Sequence, residues 1–423
     1  MAIALEPSAF DDPVLNVINL LNSLSSAHPE AISLASGRPD DELCDPALIY
    51  KGLASYERYV TNAEQSLSIR LCQYGKTSGI INEILAEHLR IDEEIVVSNV
   101  ENIVVCMGFQ EAATLALLSI FDKGGVLLVP DPVFSGITGI AKLLRVKTVP
   151  VPMADFLDSE TLSDVVDAIE SSGEKVKALY AISDFSNPTA DSLSFEGRKA
   201  LVALARARNF LILEDNAYRY FRYEGARIPL MKSIESSRVV LMGSFAKSIF
   251  PGLRMGYLMG PEDIEATSLS TKICKAKSLI TVNTSALCQA VVGGLLIEND
   301  YSLKALNEPK TLSYLNKRNW MIRCLEEHFP LNANGQRAII WNAPEGGFFI
   351  NVQLPIRFGY SEMQECAAQF KVIVFPTSFF SLMGAGIDQV RLSFSSATAS
   401  DIPLAIGRLK AYIELKMQPP ALP

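Results

Sequence analysis

The sequence predicts an α/β protein with a large three-layer domain, built on a mainly parallel seven-stranded sheet, and a smaller α+β domain. Between about residues 100 and 260, short β-rich runs alternate with amphipathic segments, and beyond Glu298 this alternation stops. Strands that alternate with helices are typical of a parallel sheet covered on both faces. The predicted strands are Ile103–Met107, Val126–Pro130, Lys147–Val151, Lys177–Ile182, Phe210–Glu214, Val239–Met242 and Met255–Met259.

Amphipathic segments between these strands predict the covering helices. Two of them are Glu111–Phe121 and Phe195–Arg208. In the second, the apolar residues recur at helical spacing and form a stripe that excludes Arg198 and Lys199. Ligands of such a sheet bind beyond the carboxyl ends of its strands, so we look for site residues there.

The C-terminal part predicts a smaller layer that follows a long connecting helix, from about Leu303 to His328. Next come predicted strands Ala338–Asn342, Gly347–Val352, Val372–Phe375 and Gln389–Phe394, with helices Ser361–Gln369 and Ser400–Lys416. We expect three parts: residues 1–48 as an N-terminal segment joining the small domain, 49–300 as the large cofactor-binding domain, and 301–423 as the connecting helix and small domain.

Composition and charge exclude several classes of protein. Apolar residues make up 49% of the 423 residues, which is enough for a sizeable core. The net charge is −9 and no basic stripe is present, so we expect no nucleic-acid partner. The longest nearly apolar stretch, residues 285–297, is too short to span a bilayer, and the N-terminus lacks the pattern of a secretory signal.

The cysteines and histidines point to neither disulfides nor metal. The seven cysteines are scattered and odd in number, which is typical of reduced thiols in a cytoplasmic protein. The three histidines lie far apart and lack the spacing of metal ligands. We therefore expect a cytoplasmic protein with no membrane association and no metal site.

Lys247 carries the most specific chemical signal. It follows the β-rich run Val239–Met242 and lies between Ser244 and Arg254. An amine can form an imine with an aldehyde, while a hydroxyl and a bidentate guanidinium suit a phosphate dianion. The combination predicts an aldehyde cofactor that carries a phosphate. For this segment taken alone, a solvated surface pair of lysine and arginine is the alternative.

Two further features follow the first two predicted strands. Gly108 ends a strand, and Phe109 and Gln110 begin a helix whose free amides and dipole favour a phosphate. A plain turn between strand and helix is an equally good interpretation of that segment. Phe134 follows the next strand, where its ring either stacks on a planar ligand or belongs to the core.

Two more features follow later strands. Asn187 precedes Pro188, which favours an extended conformation, and its amide suits a phenolate-type oxygen, although Asn-Pro is also common in turns. Asp215 follows a fully apolar strand, where an unpaired carboxylate is costly. A protonated pyridine nitrogen is a fitting cationic partner for it. Tyr218 then offers a hydroxyl to the oxygen on the same ring.

Together these motifs resemble the class I/II aminotransferases, which are pyridoxal-phosphate enzymes of fold type I. The matching segments are Asn187-Pro-Thr, Asp215-x-x-Tyr218, Ser244-x-x-Lys247 and Pro251-Gly-Leu-Arg254-x-Gly-Tyr257, within a resemblance that extends from Ile32 to Leu409. The branch that looks most similar contains aminoadipate/kynurenine and dihydroxyphenylglycine aminotransferases. Two positions depart from the family pattern: Ala190 replaces a usual glycine, and Thr377 follows Pro376 where glycine is commoner.

The resemblance implies pyridoxal 5'-phosphate as cofactor and adds four positions. Gly37 and Arg38 resemble the substrate-side segment, where Arg38 pairs with a substrate carboxylate or lies in a solvated salt bridge. Tyr74 resembles the tyrosine that reaches the cofactor phosphate of the neighbouring subunit, which implies a homodimer with shared active sites. Arg391 resembles the arginine that binds the substrate carboxylate through both of its oxygens.

The implied activity moves an amino group between an amino acid, aromatic or arylglycine-type as our first expectation, and a 2-oxo acid. In it Lys247 is the general base and acid, Asp215 keeps the pyridine nitrogen protonated, and Tyr218 contacts the ring. Decarboxylases, lyases and oxidases share this chemistry, so these alternatives stay open at this point. An effector-binding regulator would need a DNA-binding domain, for which we expect no room before residue 32.

Overall fold

The computed structural model describes residues 13–262 and 267–418. Its helices are, in chain order, α1 Pro13–Ala27, α2 Ala47–Asn62, α3 Leu67–Cys72, α4 Asn82–Glu93, α5 Phe109–Ile120, α6 Ser135–Leu143, α7 Met153–Leu157, α8 Ser159–Ser171, α9 Phe195–Arg208, α10 Met231–Ile234, α11 Phe245–Ser248, α12 Thr267–Ile280, α13 Ala286–Glu298, α14 Lys304–His328, α15 Tyr360–Phe370 and α16 Asp401–Met417. Its strands are β1 Ile32–Ser33, β2 Ile103–Cys106, β3 Val126–Asp131, β4 Lys147–Pro152, β5 Val176–Ile182, β6 Leu211–Asn216, β7 Val239–Ser244, β8 Gly256–Met259, β9 Ile340–Trp341, β10 Phe349–Gln353, β11 Val372–Ile373, β12 Phe375–Pro376 and β13 Gln389–Ser393.

The central sheet has seven strands in the order β2-β8-β7-β6-β5-β3-β4. The run from β7 to β4 is parallel, and β8 is antiparallel to both of its neighbours. The side chains of β2 and β3 are buried throughout, as expected for a sheet that is covered on both faces. The predicted mainly parallel, seven-stranded sheet is confirmed, because each predicted strand overlaps one of these strands.

Helices cover both faces of this sheet. In β2, Val104 packs into an apolar cluster with residues of α5 and α6, whereas Ile103 and Val105 pack with residues of α4 and α13. Successive side chains of a strand point to opposite faces, so these two clusters lie on opposite sides of the sheet. The large unit therefore has the three layers that the sequence predicts.

The nearly apolar stretch at residues 285–297 forms most of α13, which packs against α2. The two helices approach closely, since a Cβ on Gly294 would lie 1.8 Å from the carbonyl oxygen of Gly52. Only glycine permits that approach. Within the described ranges, no helix is both long and apolar enough to cross a membrane, and α13 is a buried core helix.

The smaller unit contains an antiparallel sheet in the order β12-β13-β10-β9, with α15 and α16 packed beside it. Here the single predicted strand Val372–Phe375 is wrong. The chain divides it into β11, which pairs in parallel with β1, and β12, which pairs with β13. Local apolar character alone does not indicate where a strand changes partner. The boundaries at residues 48/49 and 300/301 stay predictions.

Arg198 differs from the polar position that the periodicity of α9 predicts, because its side chain is fully buried. It donates to Asp184 Oδ1 at 2.8 Å and to the carbonyl oxygens of Ser183 and Leu193 at 2.7 and 3.1 Å. These acceptors belong to the loop after β5, which carries residues of the candidate site. A charge is stable in such a place only when it is paired and hydrogen-bonded.

We predict that Arg198→Met lowers the free energy of unfolding by about 2–3 kcal/mol, since it leaves the buried carbonyl oxygens of Ser183 and Leu193 without this donor. Asp184 loses one of three guanidinium partners and keeps Arg219 and Arg222, so its charge stays compensated. The matched control is Lys199→Met, because Lys199 is exposed and pairs with Glu196 at the surface. It should change the stability by no more than about 0.5 kcal/mol. Urea unfolding of both variants measures the difference, and equal losses would contradict the structural role of Arg198.

Candidate active site

A cavity of about 480 Å³ lies beyond the carboxyl ends of β3, β5, β6 and β7. It brings together twelve of the fourteen predicted site residues: Gly37, Arg38, Phe109, Gln110, Phe134, Asn187, Asp215, Tyr218, Ser244, Lys247, Arg254 and Arg391. Gly108 and Tyr74 are not among its lining residues. The parallel sheet explains the convergence, because neighbouring parallel strands end at the same edge.

The central strands align the reactive side chains. In the sheet register, Asp215 on β6 lies beside Ile182 on β5 and Met242 on β7. Asn187 follows β5, and Lys247 lies in the short helix α11 directly after β7. The side chains that the motifs predict are therefore brought to one place by strand pairing, although they are far apart in the sequence.

Lys247 is held beside the substrate-side segment. Its Nζ donates to the carbonyl oxygen of Gly37 at 2.7 Å. Burial, together with the positive charges of Arg391 and Arg254, lowers the pKa of Lys247 to about 8. A fraction of the amine is therefore neutral near pH 7, which is the form that can attack an aldehyde or accept a proton.

Asp215 is a buried carboxylate, and only one of its two oxygens accepts a hydrogen bond among the described residues. Tyr180 donates its hydroxyl to Oδ2 at 2.7 Å, while Oδ1 has no hydrogen-bond partner within the described part of the chain. Burial raises the pKa of Asp215 to about 7, and the bond from Tyr180 opposes that rise. A buried acceptor without a donor is costly, so this oxygen fits the protonated nitrogen of a pyridine ring.

Arg391 reaches the cavity from β13 of the smaller sheet. Its guanidinium donates to Asn187 Oδ1 and to the carbonyl oxygen of Ala35, while its Nε is buried without a hydrogen-bond partner. Burial lowers its pKa to about 10. Among the described residues no carboxylate pairs with it. The group fits an incoming carboxylate, which a guanidinium binds through two hydrogen bonds.

The start of α5 forms a cradle for a phosphate. Gly108 caps this twelve-residue helix with φ +77°, and a Cβ there would lie 3.0 Å from Nη2 of Arg254. Gly108 therefore lies behind the arginine and lets it approach the helix start. Gln110 and Ser244 add side-chain donors beside it. Amides at a helix start, a hydroxyl and a guanidinium form a donor set that suits a phosphate dianion.

Comparison with known proteins agrees with this site. A sequence profile described as "Aminotransferase class I and II" matches residues 30–409. The chain belongs to the class I and II aminotransferases. It is 36% identical to an (S)-3,5-dihydroxyphenylglycine transaminase of Amycolatopsis orientalis, over 97% of this chain and 94% of the relative. It is 29% identical to aromatic-amino-acid aminotransferase 1 of Thermococcus litoralis, over 92% and 89%.

A solved structure has the same architecture. Kynurenine aminotransferase of Pyrococcus horikoshii, in complex with PMP and kynurenine, aligns with a TM-score of 0.83 at 25% identity, over 98% of each chain. The protein is thus a transaminase of fold type I that acts with pyridoxal phosphate on amino and 2-oxo acids. The decarboxylase, lyase and oxidase alternatives receive no support from these relatives.

The motifs did not reveal the aromatic walls of the aminotransferase site, which are formed by Phe349, Phe375 and Phe380 around Arg391. The Arg391 guanidinium carbon lies 4.3 Å from the ring centroid of Phe349, 4.8 Å from that of Phe380 and 5.4 Å from that of Phe375. Phe134, whose ring the sequence does predict at a ligand site or in the core, packs on Phe109 with ring centroids 5.9 Å apart. Phe349 and Phe375 lie in predicted strands, where periodicity does not distinguish a residue that lines a site from a core residue.

Tyr180 was also missed, since a tyrosine inside a buried strand has an ordinary explanation as a core residue. Its bond to Asp215 depends on strand pairing, which single segments do not reveal. Tyr218 is buried, and its ring packs edge-on against Phe348 and Phe349. Burial raises the pKa of the Tyr218 phenol, which therefore stays protonated and can donate.

Two predicted residues lie at the edge of the aminotransferase site or outside it. Arg38 lines the cavity, but its side chain is 61% exposed and pairs with Asp41 at 3.0 Å, which matches the interpretation as a solvated salt bridge. Tyr74 is 85% exposed and lies outside the cavity of its own chain. Its predicted role requires a neighbouring subunit and stays a prediction.

Proposed function

We propose that this aminotransferase takes an aromatic or arylglycine-type amino acid as donor, with Lys247 as the residue that holds the cofactor and transfers the proton. When bound, pyridoxal phosphate supplies an electron sink for the negative charge that develops at Cα. The observation that carries the proposal is the burial of the Lys247 amine, with a pKa of about 8, in a cavity with two other buried ionisable groups. Each of these groups keeps one atom without a hydrogen bond among the described residues, Oδ1 of Asp215 and Nε of Arg391.

Lys247 acts at the Cα–H bond of the substrate. Its neutral Nζ accepts the proton from Cα as general base and returns it as general acid. The hydrogen bond to Gly37 O keeps the amine within the cavity on the substrate side. A pKa near the working pH suits both directions of proton transfer, because neither the neutral nor the charged form is rare.

Other residues bind and orient the cofactor. Asp215 pairs with the protonated ring nitrogen, and Asn187 and Tyr218 donate to the ring oxygen. Gln110, Ser244 and Arg254 bind the phosphate together with the amides at the start of α5, and Phe134 stacks on the ring. Each assignment rests on the position of that side chain in the cavity and on its donor or acceptor chemistry.

Arg391 binds the α-carboxylate of the substrate. A guanidinium meets both carboxylate oxygens at once and so fixes the rotation about the Cα bond that breaks. A carboxylate held by Arg391 would favour loss of the proton over loss of the carboxyl group, since the outcome at Cα depends on which bond the protein orients for cleavage. The carboxylate would satisfy the guanidinium that is buried without an acid partner.

The aromatic walls support the substrate class. Phe349, Phe375 and Phe380 surround the carboxylate-binding Arg391, so a side chain on Cα meets rings rather than charges. Aromatic rings prefer edge-to-face or offset contact with other rings. The two sequence relatives named above act on dihydroxyphenylglycine and on aromatic amino acids, which agrees with this preference.

We further propose a homodimer with shared active sites. Large apolar side chains are exposed on two helices that pack beside one another, Tyr50 on α2 and Ile69 on α3. Such an exposed surface marks an interaction site, and Tyr74 lies beside it in sequence.

The cysteines, all within the described residues, are free thiols, which supports a cytoplasmic location. The boundaries at residues 48/49 and 300/301 belong to the same proposal.

The cofactor should bond covalently to Lys247. Borohydride reduction of the loaded enzyme, followed by peptide mass analysis, should find the label on Lys247. Lys247→Arg should carry no label and lose activity by about 10³-fold or more, because a guanidinium neither bonds the aldehyde nor exchanges the proton. Lys232 and Lys310 are the alternative sites for the label, since burial also lowers their pKa to about 8. A label on either would refute the assignment.

Aromatic and arylglycine donors should react faster than acidic ones. We expect kcat/KM for 2-aminoadipate to be lower by about tenfold or more, because its second carboxylate would be buried against rings without a partner. Arg38→Ala should change the rates with aromatic donors by less than about twofold, since that arginine is solvated. A panel of donors with both enzymes checks this. Faster turnover of aminoadipate, lost in Arg38→Ala, would reverse the substrate assignment.

Removal of the Tyr74 hydroxyl should weaken cofactor retention. Tyr74→Phe should raise the dissociation constant of pyridoxal phosphate by about tenfold, the scale of a hydrogen bond to a charged phosphate. Tyr360→Phe is the control, because Tyr360 is an exposed tyrosine on α15 that contacts Gln364. Sedimentation should find a dimer for all three proteins. An active monomer would disprove the shared site.

A further inference from the structure

Tyr180 is buried in the centre of β5 and is not among the residues that line the cavity. Its hydroxyl donates to Asp215 Oδ2 at 2.7 Å. Residue 180 pairs with Leu213 in the sheet, and Ile182 pairs with Asp215, so the bond runs diagonally between neighbouring strands. Diagonal neighbours on one face are within reach of a long aromatic side chain.

The bond is the one interaction that stabilises the charged form of Asp215 among the described residues. Burial raises the pKa of Asp215, and the hydrogen bond from Tyr180 lowers it. The remaining neighbours contribute no second donor: β7 presents Met242 opposite, and Tyr218 after β6 donates no bond to it. The cationic residues of the cavity, Lys247, Arg254 and Arg391, form no ion pair with this carboxylate.

We propose that Tyr180 is a positioning residue that keeps the Asp215 carboxylate ionised and directs its free oxygen into the cavity, so that the cofactor's ring nitrogen carries the proton. This inference rests on the proposed function of Asp215. A proton shared by two groups stays on the more basic one. A hydrogen bond to the carboxylate makes it less basic and so favours the proton on nitrogen.

A purely structural role would have a different signature. The Tyr180 ring packs against Phe109 with centroids 6.3 Å apart, and a phenylalanine at position 180 keeps that contact. Tyr180→Phe therefore removes the hydroxyl and little else. Tyr412→Phe is the matched control, because Tyr412 is also buried and also donates to a carboxylate, Glu365, but in the smaller unit.

The first measurement is nitrogen NMR of enzyme loaded with pyridoxal phosphate that is labelled with ¹⁵N in the ring. Wild type and Tyr412→Phe should give the shift of a protonated pyridine. Tyr180→Phe should move toward the shift of the unprotonated ring, because the proton passes to Asp215. An unchanged shift in Tyr180→Phe would overturn the proposal, since packing alone does not affect the protonation of the ring.

The second measurement compares two ligands. Tyr180→Phe should weaken binding of pyridoxal phosphate by about tenfold, as expected for loss of a hydrogen bond to a charged group. An analogue with carbon in place of the ring nitrogen should lose less than about twofold, since it has no charge to pair with Asp215. Equal weakening of both ligands would overturn the proposal.

The same experiments separate this inference from the proposed function. If borohydride places no label on Lys247 of the wild type, the proposed function fails before Tyr180 is tested. If the label is on Lys247 and the ring-nitrogen shift of Tyr180→Phe stays at the wild-type value, only the role of Tyr180 fails.

Discussion

The parallel pairing of β5, β6 and β7 is the constraint on which the site depends. Strands that run in one direction end at one edge, so residues that follow them must meet there. Asp215 lies level with Ile182 and Met242, and the segments that leave these strands carry Asn187 and Lys247. A shift of one residue in this register would turn Asp215 to the opposite face of the sheet. The apolar pattern of these buried strands and the chemistry of the site are therefore set by the same alignment.

Burial without partners is the second property that defines this molecule. Lys247, Asp215 and Arg391 are ionisable groups in one cavity. Burial raises the pKa of Asp215 and lowers the pKa of Lys247 and of Arg391, which favours the neutral form of each group. Asp215 Oδ1 and Arg391 Nε are left without hydrogen bonds among the described residues. Unpaired buried polar groups cost stability, and folded proteins tolerate them where a ligand completes them. The buried Arg198–Asp184 pair shows the contrasting case, in which a charge away from the cavity is satisfied within the fold.

The smaller sheet completes the site from the other side. Arg391 on β13 binds both Asn187 after β5 and Ala35 after β1, so three distant parts of the chain meet at one guanidinium. Phe349, Phe375 and Phe380 come from the same unit and form the wall around it. In the proposed function, the large sheet would supply the cofactor-binding groups, and the smaller unit would supply the groups that choose the substrate. Changes in substrate are therefore expected from substitutions in the smaller unit.

Periodicity and composition were enough to predict the seven strands and the long helix α14, because each depends on residues close together in sequence. The chemical motifs at strand ends were equally local, which is why Lys247, Asp215, Asn187 and Arg254 could be predicted. Only the tertiary structure decided the division of residues 372–376 between two sheets, the burial of Arg198 and the aromatic walls. The Tyr180–Asp215 bond joins residues 35 positions apart, and that from Arg391 to Asn187 spans 204. Such contacts arise from strand pairing and domain packing, which are decided by the summed burial of many side chains and leave no mark in a single segment.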